Sequence, residues 1–225
     1  MKNKNKLQKL REKSPRDKQI KKFCKDFDLL NLQSYYQTMP AEDKDIILTN
    51  ALFTTVMYKG MSEKEDDDFA MIQWLALLPE VNVHHENEWV FRRLCIYGKL
   101  TIAKWFVEHF TIDIHANKEE AFREACAGGH FEMAQWLISI GGVNIHINKE
   151  EAFVMSCLYG YLEIAQWLVS LGGVDIHAQN DILFKKETGN NMVLREKERQ
   201  EVLQWLQDTF ITHHDNDDEN IEKNA

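Results

Sequence analysis

Between Asn117 and Ile147 the apolar positions follow a helical period twice over. Ala121, Phe122, Ala125 and Cys126 make a narrow apolar stripe and predict a first helix over residues 119–127. Gly128 and Gly129 stop it, because glycine closes a helix end at little steric cost. From Phe131 to Ile140, Met133, Ala134, Trp136, Leu137 and Ile140 share one broad face and predict a second helix with the larger apolar load. Gly141 and Gly142 end that helix. The alternating segment from Val143 to Ile147 predicts a short extended arm leading into the next first helix. Asn117 and Asn148, with Glu120 and Glu151 three residues later, are the expected caps of the first helices.

The pattern recurs. Trp74, Trp105, Trp136 and Trp167 are each 31 residues apart, and so are Phe91, Phe122, Phe153 and Phe184. His84, His115, His146 and His177 keep the same step inside VNVH, IDIH, VNIH and VDIH. Three landmark series with one period establish a repeat protein. Two helices of about ten residues cannot bury both stripes alone, so each pair must stack on its neighbours. The expected organisation is five repeats over residues 49–208, divided 49–84, 85–115, 116–146, 147–177 and 178–208.

The end repeats differ from the middle ones. Phe53 and Trp74 are 21 residues apart where Phe122 and Trp136 are 14 apart, and Phe184 and Trp205 repeat the longer spacing. Seven extra residues are about two helical turns, so the second helix of each end repeat is expected to start early. Ser62 and Glu65 have capping-box spacing at that point. Before the repeats, residues 23–48 with Phe23, Phe27, Leu30 and Leu32 predict capping helices that cover the first apolar face.

Composition adds the two ends. Residues 1–25 carry eleven Lys/Arg against Glu12 and Asp17, a local +9 that leaves −18 for the rest of a chain of net charge −9. Residues 1–22 are expected to be a basic disordered leader and 209–225 an acidic disordered tail. The leader supplies an alternative reading, nucleic-acid or nuclear association, although no aromatic residue is interleaved to stack on bases. The start of the chain has no apolar signal run and no stretch reaches 18 consecutive apolar residues, so an intracellular chain, in cytoplasm or nucleus, is expected.

Gly129, His130, Phe131 and Glu132 resemble the Gly-His-Leu-Glu turn of the ankyrin repeat, and Gly141 to Ile145 resembles its Gly-Ala-Asp-Val, one residue longer. The wording AF...AC..GH.E.AQWL.S.GGV.IH is similar to the repeats of ankyrin proteins encoded by giant amoeba-infecting DNA viruses. The resemblance implies an all-α repeat solenoid, a concave side built from first helices and arm tips that binds other proteins, and no catalytic machinery.

Packed helices lie about 8–10 Å apart, far beyond the span of a zinc ion's bonds of about 2 Å, so the histidine ladder is expected to bind arm backbone and no metal. Cys95, Cys126 and Cys157 recur at one core-like position, so reduced buried thiols are expected, not a nucleophile or disulfides. No cofactor, small-molecule substrate or enzymatic activity is expected. The tryptophans are expected in the core, with Trp136→Ala costing roughly 3–5 kcal/mol.

Just before each inter-helix glycine, in the slot that the resemblance turns towards the groove, stand Tyr58 and Lys59, Ile96 and Tyr97, Ala127 and Gly128, then Leu158 and Tyr159. Tyrosine suits interface anchors because it buries much area at small entropic cost. These eight residues are the candidate partner-binding set, with a small-residue gap in the third repeat. The arm-tip acids Glu86, Glu88, Glu119, Glu120, Glu150, Glu151 and Asp181 outnumber Lys118 and Lys149 and favour a basic protein partner, met by a monomer. Met39, Pro40, Glu42, Ile47 and Leu48 also resemble the opening of an F-box, the module of ubiquitin-ligase adaptors, with Asp43 standing where that pattern is apolar.

Overall fold

The computed structural model describes residues 15–26, 28–59, 65–177 and 196–222. Eleven helices and no strand occur among them, an all-α repeat fold. The chain divides into two compact units, Met1–Ala116 and Asn117–Ala225, each taken by itself below.

Unit 1 opens with α1 (Pro15–Asp26), α2 (Leu29–Thr38) and α3 (Ala41–Lys59). The expected leader, residues 1–22, is therefore helical from Pro15 onward. Ile20 and Cys24, one turn apart, are buried and give this basic segment an apolar edge that holds it against α3. Lys18, Lys22 and Lys25 face water on its other side. Asp28 caps α2 by accepting the Asn31 N–H at 3.1 Å.

The cap helices are stitched to the first repeat. Tyr36 meets Trp74 edge-on at 5.7 Å and donates its hydroxyl to Glu80 at 3.1 Å, while the Lys44 ammonium lies 3.7 Å from the Tyr36 ring centroid. Met39, Ile47 and Leu48 are buried within this unit, so the apolar residues of the F-box-like string serve its interior.

The repeats follow as α4 (Glu65–Ala76), α5 (His85–Ile96) and α6 (Leu100–His109) in unit 1. In unit 2 they continue with α7 (Ala116–Ala127), α8 (Phe131–Ser139), α9 (Ile147–Leu158), α10 (Leu162–Ser170) and α11 (Glu196–Glu222). Helices α6, α8 and α10 begin five residues before their tryptophans, whereas α4 and α11 begin nine residues before Trp74 and Trp205. The described part of each end helix thus starts about one turn early. Ser62, Asp181 and Phe184 lie outside the described residues. With no Gly or Pro between 196 and 222 to stop it, α11 continues helical through most of the stretch expected as a disordered tail.

Phenylalanine, not tryptophan, fills the interior. Phe91, Phe106, Phe122 and Phe153 are among the largest fully buried side chains, and Cys95, Cys126 and Cys157 lie beside them in the sequence register with 0–1% exposure. The second helices bury Ile102, Ala103 and Phe106, then Met133, Ala134 and Leu137, then Ile164, Ala165 and Leu168, each set 31 residues after the last. Trp74, Trp105, Trp136, Trp167 and Trp205 are only half-buried, which corrects their expected core placement. The reason is geometric: Trp105 leans edge-on against Phe69 at 6.0 Å and Trp167 against Phe131 at 5.2 Å. Trp105 also stacks on His109 with centroids 4.4 Å apart, so its indole lies in the seam between α4 and α6.

Candidate partner-binding site

The first helices α5, α7 and α9 end in one hydrogen-bonded motif. The N–H of Lys99 reaches the Leu94 carbonyl at 2.9 Å, that of His130 reaches Ala125 at 2.9 Å, and that of Tyr161 reaches Ser156 at 2.8 Å. A second bond spans three residues in each case, from Gly98 to Cys95, Gly129 to Cys126 and Gly160 to Cys157. This is the Schellman closure, with glycine one place beyond the cap.

The cap itself is Tyr97, Gly128 or Tyr159. Tyr97 and Tyr159 have φ −96° and −91° with ψ 4°, a conformation open to many residue types. The backbone therefore does not dictate the side chain at this slot, and its variation between copies is free to serve recognition. Tyr159 is 40% exposed and its ring and hydroxyl have no bonded or ring partner among the described residues. Ile96, Tyr97, Ala127, Gly128 and Leu158 are half-buried. The Tyr97 hydroxyl points at the Met57 sulfur, 3.7 Å away. The side chains of Tyr58 and Lys59 lie outside the described residues.

The gap expected at Ala127 and Gly128 is narrower than the sequence suggests. At the neighbouring Gly129, with φ +77°, a Cβ would overlap the Tyr161 ring. Tyr161 thus covers the backbone of the turn beside the gap.

The start of each first helix holds the feature that sequence reasoning missed. Glu86, Asn87 and Glu88 all have positive φ between 53° and 61°, as do Asn117, Lys118 and Glu119, and again Asn148, Lys149 and Glu150. The expected extended arm instead runs into a full left-handed turn, and right-handed helix begins only at Trp89, Glu120 and Glu151. Left-handed conformation costs roughly 1–2 kcal/mol per non-glycine residue, so long-range contacts must hold it.

Those contacts recur. Glu88, Glu119 and Glu150, third in each turn, are 6–8% exposed. Glu88 accepts the Asp113 N–H at 3.4 Å and Glu119 accepts the Asn144 N–H at 3.3 Å, each tying a turn to the next arm. His84 Nδ1 lies 2.8 Å from Glu88 and His146 Nδ1 lies 3.0 Å from Glu150. His84 and His146 thus bind a carboxylate, where arm backbone was expected. Their own N–H groups are taken by Asn82, Asp113, Asn144 and Asp175 two residues earlier, at 2.9–3.1 Å, as Asx turns.

The expected Asn caps are also re-employed: Asn117 donates to Glu120 at 3.0 Å and Asn148 to Glu151 at 2.7 Å, side chain to side chain. Arginine then clasps the turn from behind. Arg92 donates to the Asn87 and Glu86 carbonyls, both at 2.9 Å, and Arg123 donates to Lys118 at 2.9 Å and Asn117 at 3.3 Å. The third copy has buried Val154 at this place.

Replacing Arg92 by Leu removes two charge-assisted bonds from strained backbone and is expected to cost roughly 2–3 kcal/mol. Urea unfolding of Arg92→Leu against wild type measures it, and an unchanged midpoint would show that the turn does not depend on the clasp.

Burial of three of the arm-tip acids changes the surface charge. Glu88, Glu119 and Glu150 are withdrawn from the surface, and Glu151 is paired with Arg123 at 2.6 Å. Three of the seven acids counted along the sequence are thus internal, while Glu86 stays exposed. Burial also pushes the Cys95, Cys126 and Cys157 thiols well above their ordinary range, so they stay protonated and act as small apolar groups. Among the described residues no three His, Cys, Asp or Glu side chains gather as a metal site, and no helix is long and apolar enough to cross a membrane.

No curated protein matches the chain. The family model described as Ankyrin repeats (3 copies) matches residues 66–180, just over half of the 225.

Proposed function

Because the chain belongs to the ankyrin-repeat family, whose members generally mediate protein–protein interaction, we propose that it is a non-enzymatic scaffold that binds a partner protein at the caps of its first helices. Ile96 and Tyr97 in unit 1, with Tyr58 and Lys59 at the end of α3, and Ala127, Gly128, Leu158 and Tyr159 in unit 2 are the proposed contacts. The observation that carries this reading is Tyr159, a large aromatic residue held at a helix cap with 40% of its surface exposed. An amphipathic ring in that position favours burial against another molecule.

Affinity capture with mass spectrometry, using the full chain beside Tyr97→Ala and Tyr159→Ala, tests it. The expected result is a partner retained by the wild type and depleted at least tenfold by the variants, with circular dichroism unchanged. Equal recovery by all three proteins would remove the assignment of the face.

A second reading, nucleic-acid association through the basic N-terminal segment, draws on the exposure of Lys18, Lys22 and Lys25 along one side of α1. Salt-dependent DNA binding lost on changing these three to Gln would favour it. Deletion is less clean, since it must stop short of buried Ile20.

A further inference from the structure

The geometry points to a second recognition element in unit 1, a strip across α3 and α5 that docks an apolar, carboxylate-bearing segment of a partner protein. It rests on the scaffold reading and names the chemistry that one part of the scaffold takes.

Two rungs join the helices. Phe53 and Trp89 stack with centroids 4.5 Å apart and planes 28° from parallel, and Tyr97 meets Met57 at 3.7 Å. Between Trp89 and Tyr97, one turn from each, stands Arg93, whose guanidinium carbon lies 5.4 Å from the Trp89 ring centroid. Met57 is 48% exposed, and Phe53, Trp89, Arg93 and Tyr97 are half-buried, so the strip is open to solvent along its length.

Arg93 decides the partner's chemistry. Its guanidinium has no hydrogen bond or ion pair among the described residues; the contact that it makes is the aromatic one. Arg92, its neighbour, is wholly engaged by the left-handed turn, and Glu88 is engaged by His84 and the Asp113 N–H. A guanidinium stacked on an indole keeps its in-plane donors available, and their fork matches a carboxylate. It is the one cation among the described side chains of the strip, with thioether and aromatic surface on either side. One carboxylate flanked by apolar side chains fits that arrangement, whereas the phosphates of a nucleic acid call for several cations.

The fold does not require these residues. One repeat later the positions of Trp89 and Arg93 are Glu120 and Glu124, and two repeats later Glu151 and Met155. The variation that marks the cap slot therefore extends two turns back along α5, and only contact across to α3 shows that it forms one surface.

The probe is a set of synthetic twelve-residue peptides with Leu or Phe four positions from a variable residue that is Glu, Gln or Lys, titrated by fluorescence anisotropy against the full chain. Wild type is expected to bind the Glu series at least tenfold more tightly than the Gln series. Arg93→Gln should erase that preference with an unchanged melt, and Arg93→Glu should turn it towards the Lys series. Wild type with no Glu preference, or a preference that survives Arg93→Gln, overturns the inference. Peptide binding that responds to Tyr159→Ala and not to Arg93→Gln overturns it while leaving the scaffold reading standing. Absence of binding in all three series overturns it as well, and partner capture then judges the scaffold reading alone.

Discussion

Gly160→Ala is expected to release the last helix from unit 2. Gly160 is buried at the cap of α9 with φ +75°, where an alanine is strained by itself. Its new Cβ would lie 2.8 Å from the Arg199 backbone nitrogen and 2.9 Å from the Glu198 carbonyl carbon. Neither atom can move unless α11 moves, and that shift withdraws Val202 and Leu206, both fully buried. Overpacking costs roughly 1–3 kcal/mol and the left-handed alanine about 1 more, so a loss of about 3 kcal/mol is expected.

In a repeat protein such a loss falls locally. Hydrogen exchange should rise in residues 196–209 to the level of open peptide, while α5 and α6 keep their protection. Unchanged exchange in α11 would mean that the helix does not lie over Gly160. Gly129→Ala makes a useful comparison, because its obstacle is the Tyr161 side chain, which can swing aside; its cost should be the smaller.

Phe122→Ala is expected to destabilise unit 2 by roughly 3–5 kcal/mol, more than Trp136→Ala despite the smaller side chain. Phe122 is 1% exposed and lies 6.5 Å, centroid to centroid, from Trp167. Its removal leaves a cavity that neighbours on two repeats must line. Trp136 is only half-buried, so truncation removes less contact and opens the site to water. About 2 kcal/mol is the corresponding expectation for Trp136→Ala. Paired urea titrations decide it, and the reverse order of the two variants would show that the burial pattern is wrong.

These two variants separate what periodicity reveals from what it hides. The 31-residue step located Phe122, Trp136, Cys126 and Gly129 alike, since all are constrained by the same stacked environment. It could not rank Phe against Trp, because a recurring residue is equally visible in the interior and at a seam between helices. Tyr97 and Tyr159 stood out by breaking the repeat, and the structure adds that their cap conformation leaves side-chain choice open. Arg93 and Trp89 break the repeat too, but their significance needs Phe53 and Met57, which lie on another helix.

The histidine ladder shows the limit most clearly. Its spacing was plain and its partner was not, because the partner glutamate sits in a backbone conformation that no local preference predicts. By itself the sequence determined the repeat, the helix pairs, the recurring Phe, Trp and Cys positions and the variable caps, since each is set by short-range period and turn chemistry. Only the tertiary structure decided the three left-handed turns, the burial of Glu88, Glu119 and Glu150, and the open stack around Arg93. Consecutive positive φ values in non-glycine residues are unfavourable one by one and persist through bonds from other residues, in the first two turns the arginine five or six places on and the arm N–H 25 places on.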